Sequence, residues 1–230
     1  TEDFYRMLDE FLSFYPFEFI RSSEVVYKSL EVAIYALNSD KFECDAAILH
    51  YLINLFSWGF EFPPISEYDH VPNDIRQLVF NILMNNTSNT SDNNNTDSNN
   101  NDSNNKIEDN YGFKILARLI FGLIYNFPSD CQPDVYDLIN KILHLSFISN
   151  KTDNRQIIYS WFLRILELFP AGSVSEPEQA KLLLSITNCL NLKDFRKVKT
   201  SIQDFISYYI RKNVKPRTTF GNESDDLFNY

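Results

Sequence analysis

The sequence predicts an all-α protein in which antiparallel helix pairs stack into a solenoid. Apolar residues recur at intervals of three and four along most of the chain, as they do on one face of a helix. The 230 residues include only 5 glycines and 9 prolines, too few for the turns that an all-β protein needs. An aromatic residue followed by proline, finally, recurs four times, at Tyr15-Pro16, Phe62-Pro63, Phe127-Pro128 and Phe169-Pro170.

These aromatic-proline pairs are spaced by 47, 65 and 42 residues. Leaving out the 21-residue segment 85–105 shortens the middle interval to 44. Periods of about 40 to 47 residues with two helices each are typical of HEAT or armadillo repeats, so the spacing favours about four HEAT-type repeats. The alternative is a helical bundle in which the pairs recur by coincidence.

Nine helices follow from the apolar spacing. The apolar residues that carry this helical spacing are, in chain order, Phe4, Met7, Leu8, Phe11, Leu12; Val26, Leu30, Ala33, Ile34, Leu37; Ala47, Ile48, Tyr51, Leu52, Leu55; Ile75, Leu78, Val79, Ile82; Leu116, Leu119, Ile120, Leu123, Ile124; Val135, Leu138, Ile139, Ile142; Ile158, Trp161, Phe162, Ile165, Leu166; Leu182, Ile186, Cys189; and Phe195, Val198, Ile202, Phe205, Ile206, Tyr209. Pro133 suits the start of the sixth helix, and Ser175-Glu176-Pro177-Glu178 predicts a capping box with proline in the first turn of the eighth.

The segment 85–105 differs from the rest because it has 11 asparagines and no apolar residue. It is predicted to be a disordered loop. The predicted organisation is HEAT repeats over 1–84, an Asn-rich disordered insertion over 85–110, HEAT repeats and a final helix over 111–212, and a disordered tail over 213–230. Whether the insertion interrupts one helix or separates two is left open at this point.

Charge is distributed unevenly within a net charge of -10. Residues 1–110 hold 6 basic and 19 acidic side chains, whereas residues 111–230 hold 15 and 12. Such a balance argues against a nucleic-acid binder that works through bulk positive charge. The acidic half suits a basic ligand, or it is a solvated surface that maintains solubility.

Signatures of catalysis, metal binding and membrane insertion are missing from the sequence. Cys44, Cys131 and Cys189 are widely spaced and form no C-x-x-C pair, which favours buried thiols in a reducing compartment. The three histidines are isolated, and no P-loop, G-x-S-x-G or G-x-G-x-x-G occurs. We therefore predict a protein that is not an enzyme, with no catalytic residue, metal or cofactor. No apolar run reaches the ~18 residues of a membrane span.

Two binding surfaces are candidates. The loop residues Glu61, Phe62, Glu67, Tyr68 and Asp69 combine acids with aromatics, which suits an Arg-rich peptide through charge and cation-π contacts. The alternative is a loop whose aromatics pack inward over the helix ends.

The second candidate is a basic patch near the end of the chain. Its members are Arg196, Lys197, Lys199, Arg211 and Lys212. The patch could meet a phosphorylated protein, RNA or an acidic face of the same superhelix, or it could be a solvated terminal cap.

The first helix lacks the polar outer face that a terminal repeat needs. Phe4, Tyr5, Phe11 and Phe14 are expected to leave it half exposed, which favours a longer protein with preceding repeats.

Three stretches of the chain resemble a known family. TEDFYRMLDEFLSFYPFEFIRSSEVVYKSLEVAIYAL, CDAAILHYLINLF and VKTSIQDFISYYIRK are similar to the last repeats of the importin-β superfamily, and most of all to its transportin-SR branch, which includes the fungal messenger-RNA-transport-regulator karyopherin. The likeness extends over nearly the whole chain apart from the Asn-rich segment and the tail.

This resemblance implies a HEAT solenoid that imports RNA-binding proteins of Arg-Ser or Arg-Gly type. The implied partners are such cargo, Ran-GTP, mainly through N-terminal repeats, and Phe-Gly nucleoporins, with no membrane and no direct nucleic-acid partner. The implied location is the cytoplasm and nucleus, with passage through the nuclear pore. No site residue is transferred from the family. A HEAT scaffold of another class, such as a phosphatase-regulatory or coat-assembly subunit, is the alternative.

Overall fold

A computed structural model describes residues 1–37, 42–65, 67–84, 110–147 and 152–213. These residues form ten α-helices, one 3₁₀ turn and no strand, which confirms the all-α prediction. The helices are α1 Glu2–Phe14, α2 Pro16–Arg21, α3 Ser23–Ala36, α4 Phe42–Ser57, α5 Asn73–Met84, α6 Tyr111–Tyr125, α7 Gln132–Leu145, α8 Thr152–Glu167, α9 Glu176–Leu192 and α10 Val198–Asn213. No helix within these ranges has the length and apolar character to cross a membrane.

The helices pack in two layers. α1, α4 and α7 lie side by side in the first layer. In the second layer, α2 packs against α5, α3 against α6, and α6 against α8. One apolar core runs between the layers and contains the fully buried rings of Trp58 and Trp161. With α9 and α10 as the last pair, the structure has four helix pairs, as predicted for an α-solenoid.

The second-layer helix of the first pair is broken at Ser22. There the backbone has φ −79° and ψ 64°, outside the helical region, and the Ser22 N–H donates to the carbonyls of Glu18 and Phe19. The short α2 begins with Pro16, whose missing N–H costs nothing at the start of a helix. α2 was not predicted, because its six residues are too few to show a helical period.

The second-layer helix of the next pair is divided into α5 and α6. The Asn110 side chain caps α6 by accepting from the N–H of Phe113 at 3.0 Å, so the two segments are separate helices. They nevertheless meet closely: a Cβ on Gly112 would lie 3.0 Å from the carbonyl oxygen of Leu83 and would collide with the ring of Trp161. The end of α5 and the start of α6 therefore lie next to each other in the second layer. The predicted disordered insertion, 85–110, and the predicted disordered tail, 213–230, lie outside the described residues except at one position each. Asn110 is the N-cap of α6 and Asn213 is the last residue of α10, so the prediction of disorder is wrong at these two positions.

The last pair closes one end of the stack. α9 packs against α8 and α10, and α10 also packs against α6 and α7. Phe205 and Tyr209 of α10 place their rings 5.6 Å and 4.9 Å from the ring of Phe169. The hydroxyls of Tyr209 and Tyr125 share a hydrogen bond of 2.8 Å. The outer face of α10 is polar, as expected of a terminal cap.

Two local predictions in this region are wrong. α10 begins at Val198, so Phe195 lies in the connection before it; the connection starts at Lys193, whose φ of 54° is left-handed and ends α9. Ser175 does occupy the N-cap of α9, with proline in the first turn, but its side chain makes no capping bond. Its hydroxyl instead accepts a hydrogen bond from Tyr208 at 3.2 Å.

The aromatic-proline pairs do not mark one point of the repeat. Tyr15-Pro16 and Phe62-Pro63 follow α1 and α4 of the first layer. Phe127-Pro128 and Phe169-Pro170 follow α6 and α8 of the second. The pairs predict the number of repeats correctly. They do not mark the same position in each repeat, as their regular spacing had suggested.

α1 forms the other end of the stack and is apolar on its outer side. Phe4, Phe11 and Phe14 are 40%, 49% and 73% exposed, as expected from the sequence. Tyr5, which was expected to join them, is fully buried against Tyr51, and its hydroxyl donates to the carbonyl of Ser29 at 2.8 Å.

Candidate functional site

The acidic loop, residues 60–65 and 67–72, joins α4 to α5. Its predicted carboxylates, those of Glu61, Glu67 and Asp69, all lie in exposed residues, and Phe62 is 75% exposed. The loop is closed by the Val71 N–H, which donates to the Glu61 carbonyl at 2.9 Å. Four of the five predicted residues are therefore open to a ligand.

Tyr68 is the fifth predicted residue, and it points inward. Its ring centroid lies 5.1 Å from that of Phe17 and 5.5 Å from that of Trp58. These contacts fix the loop on α2 and on the end of α4. The alternative prediction was that the aromatic residues of the loop pack inward. It is correct for Tyr68 and wrong for Phe62.

The predicted basic patch is two separate clusters. Arg196, Lys197 and Lys199 lie in and just after the α9–α10 connection, whereas Arg211 and Lys212 lie in the last turn of α10. Twelve residues of helix separate Lys199 from Arg211, which is about 18 Å at 1.5 Å per residue.

The second cluster is engaged in local contacts. Lys212 Nζ donates to the Gly172 carbonyl at 3.1 Å, and Arg211 Nε donates to the Ser207 carbonyl at 3.2 Å. The Lys212 bond joins the end of α10 to the α8–α9 turn, whereas the Arg211 bond lies within α10 itself.

The first basic cluster and the acidic loop meet at α7, although they are far apart in sequence. His144 of α7 lies between Phe60, with ring centroids 6.3 Å apart, and Phe195, at 3.4 Å. Its Nδ1 lies 2.9 Å from the Asn140 carbonyl oxygen, which can only accept, so Nδ1 carries the proton. Burial lowers the pKa of His144, which keeps the imidazole neutral at pH 7.

A groove lies between α7 and the α9–α10 connection, and we call it the α7 groove. It consists of two adjoining cavities of about 710 Å³ and about 260 Å³ that share Asn140 and Phe195 as lining residues. Lys193 belongs to the same basic stretch of sequence as the predicted patch, whereas Asn140 and His144 were not among the predicted binding residues. No motif could have identified them, because the groove arises only when α9 and α10 turn back onto α7.

Reactive side chains are dispersed or buried. Cys44, Cys131 and Cys189 are all buried free thiols, and burial raises the pKa of Cys131 to about 11 and that of Cys189 to about 12. Within the described part of the chain, no three His, Cys, Asp or Glu side chains converge as metal ligands would. His50 lies 3.3 Å from Asp134, which is an exposed pair that joins α4 to α7.

A comparison with known proteins agrees with the family resemblance seen in the sequence. The chain is 28% identical over 218 residues to the mRNA transport regulator MTR10 of Saccharomyces cerevisiae. The match covers 94% of this chain and 20% of the relative, so the chain spans about a fifth of its length. No protein-family model matches the chain. The resemblance to the importin-β branch that includes the fungal transport regulator is thereby confirmed.

Proposed function

We propose that this chain is the C-terminal, cargo-side HEAT segment of a karyopherin. In this proposal the whole receptor imports RNA-binding proteins with Arg-Ser or Arg-Gly segments into the nucleus, and Ran-GTP releases them. The similarity to the mRNA transport regulator MTR10 is the observation that carries the proposal. Ran-GTP acts mainly through other repeats of the receptor, and Phe-Gly nucleoporins mediate its passage between cytoplasm and nucleus.

The acidic loop is the proposed contact for the basic segment of the cargo. Glu61, Glu67 and Asp69 offer three exposed carboxylates, and Phe62 offers an exposed ring beside them. Arginine pairs with carboxylates and also stacks on aromatic faces. Tyr68 supports the contact from behind because it holds the loop on Phe17 and Trp58.

A labelled Arg-Ser peptide tests this contact by fluorescence anisotropy. We expect weak binding at low salt, with an affinity that falls steeply as the Debye length shortens from about 30 Å to about 8 Å. The triple change Glu61→Gln, Glu67→Gln and Asp69→Asn should weaken binding further, by about fivefold to tenfold if each lost pair contributes as exposed pairs do.

The matched control removes three exposed carboxylates from the other end of the molecule. Its changes are Glu167→Gln, Glu176→Gln and Asp204→Asn. Equal weakening by both triple variants would remove the loop from the proposal. Binding without any salt dependence would remove the electrostatic mechanism.

The alternative is a HEAT scaffold of another class, such as a phosphatase-regulatory or coat-assembly subunit. The two candidates differ in their response to Ran-GTP. Cargo pulled down by the full-length protein should be released by Ran-GTP and retained with Ran-GDP. Retention under both conditions would favour the scaffold.

A further inference from the structure

The α7 groove has an apolar floor. Val198 and Ile202 of α10 and Ile139 of α7 are at most 3% exposed and form its base. The half-buried ring of Phe195 stands between its two cavities, stacked on His144. This floor offers a place for one aliphatic or aromatic side chain of a ligand.

The rim of the groove is cationic. Lys193 Nζ lies 5.1 Å from the ring centroid of Phe147, and Lys199 Nζ lies 5.4 Å from that of Tyr136. The aromatic faces hold both ammonium groups at the rim. Among the described residues, neither ammonium group has a carboxylate within ion-pair distance.

Two acids also line the groove, and both are engaged by a cation. Asp194 accepts from Arg196 through both carboxylate oxygens, at 2.8 Å and 2.7 Å, and these bonds lower the pKa of Asp194 to about 2. Asp137 lies 3.7 Å from Lys141. Lys193 and Lys199 are therefore the charges at this rim that remain available to a ligand.

A polar group at the junction of the two cavities also lacks a partner. The side-chain oxygen of Asn140 is buried and accepts no hydrogen bond from any residue that the structure describes, while the residue as a whole is half buried. A rotation of this side chain towards the groove would let it accept from a peptide N–H. Such a bond would satisfy an acceptor that is otherwise costly to bury.

We propose that the α7 groove binds an acidic peptide segment of a partner protein, with one large apolar side chain flanked by carboxylates. The apolar side chain lies on Phe195 and Ile202, the carboxylates pair with Lys193 and Lys199, and a backbone N–H donates to Asn140. This ligand is opposite in charge to the one proposed for the acidic loop. The two surfaces share α7 but no contact residue, so either proposal can fail without the other.

Single-stranded nucleic acid fits this groove less well. Bases bind such surfaces by stacking on open aromatic faces. Here one face of Phe195 is covered by His144 at a centroid distance of 3.4 Å, and the rings of Phe195 and Phe147 make an edge-to-face contact with their centroids 5.7 Å apart. The ring of Tyr136 is covered by Lys199.

The test uses a fluorescein-labelled nonapeptide, Ser-Asp-Glu-Asp-Leu-Phe-Asp-Glu-Ser, and the full chain at low salt. We expect saturable binding that the double variant Lys193→Glu, Lys199→Glu weakens by about tenfold or more, since two attractions become repulsions. A peptide with Leu-Phe replaced by Ser-Ser should lose binding to a similar degree. Asn140→Ala should weaken binding by a smaller factor.

A matched control makes the same change of charge away from the groove. Lys28→Glu and Lys181→Glu alter exposed lysines of α3 and α9 that lie outside it. Thermal unfolding by circular dichroism shows whether each variant is folded. Absence of peptide binding to the folded chain would overturn the proposal, and so would equal weakening by both double variants. Tighter binding of labelled oligouridylate, sensitive to the Lys193 and Lys199 changes, would assign the groove to nucleic acid instead.

Discussion

The two ends of the helix stack are finished in different ways. At the α10 end, large side chains turn inward, and Phe205 and Tyr209 are 3% and 2% exposed. At the α1 end, Met7, Phe11 and Phe14 face outward and are 44%, 49% and 73% exposed. Solenoids need a polar cap wherever the stack meets water. The α10 end has that cap, and the α1 end instead presents a surface of the kind that helices bury against one another.

We call the α10 end of the stack the closed end and the α1 end the open end. The largest effect on stability should come from removing a buried aromatic ring at the closed end. Phe205→Ala removes a ring packed on Phe169 and should lower the free energy of unfolding by about 3–5 kcal/mol. Phe14→Ala, the same change on the open end, should alter it by no more than about 0.5 kcal/mol. Urea unfolding followed by circular dichroism measures both. Similar losses would abolish the distinction between the ends.

The reactivity of the cysteine thiols should also differ between the two ends of the stack. Burial raises the pKa of Cys189, near the closed end, to about 12, so its thiolate fraction at pH 8 is about three orders of magnitude below that of an ordinary thiol. Cys44 lies in the first turn of α4 and is 7% exposed, against 2% for Cys189. We expect iodoacetamide to label Cys44 first, as followed by mass spectrometry of the folded protein.

The same raised pKa gives a pH dependence. A thiol with a higher pKa in the folded protein contributes stability that is complete below its unfolded pKa of about 8.5. That contribution declines as pH rises towards 12. Cys189→Ala should flatten the alkaline part of the stability profile, and an unchanged profile would contradict the assigned burial effect.

A smaller effect should come from the hydrogen bond that ties α10 to α6. Tyr125→Phe and Tyr209→Phe each break the bond between their hydroxyls. A double-mutant cycle should give a coupling of about 0.5–1.5 kcal/mol. Tyr35→Phe is the control, since Tyr35 is 82% exposed. A coupling near zero would show that the closed end depends on ring packing alone.

The smallest effect on stability should come from making the open end polar. Met7→Gln, Phe11→Gln and Phe14→Gln together should change the free energy of unfolding by less than about 1 kcal/mol, because these side chains are 44%, 49% and 73% exposed. The same variant should bind less 8-anilinonaphthalene-1-sulfonate in a fluorescence titration, since the dye reports exposed apolar surface. A large loss of stability would mean that this face is packed.

Most of the fold could be predicted because long amphipathic helices carry their period in the sequence. All nine predicted helices are present in the structure. The tenth helix, α2, was not predicted and is a single short segment that begins at Pro16. Phe195 was assigned to the last helix because its spacing from Val198 and Ile202 fits a helical face. The left-handed backbone at Lys193, which ends α9 and sets up the connection, is invisible to that pattern.

The sequence predicted which residue types the candidate surfaces contain, but it did not predict how those residues are arranged in space. The acids of the loop are exposed as expected, but the inward turn of Tyr68 depends on Phe17, which lies some fifty residues earlier in the chain. The basic patch was assembled by counting charges, and the length of α10 divides it. The α7 groove depends on long-range packing that single-chain spacing does not encode.

The close approach of the end of α5 to the start of α6 makes the connection between these helices a suitable position for inserting another domain. Because a Cβ on Gly112 would lie only 3.0 Å from the carbonyl oxygen of Leu83, the end of α5 and the start of α6 are close together, and a guest domain with neighbouring termini could be placed between Met84 and Asn110 without separating the two helices. Lengthening such a connection costs little, about 0.6 kcal/mol for each doubling of a flexible loop. A fluorescent protein placed there would be attached to the second layer, on the α5–α6 side of the stack, and would leave the α7 groove unaltered in sequence.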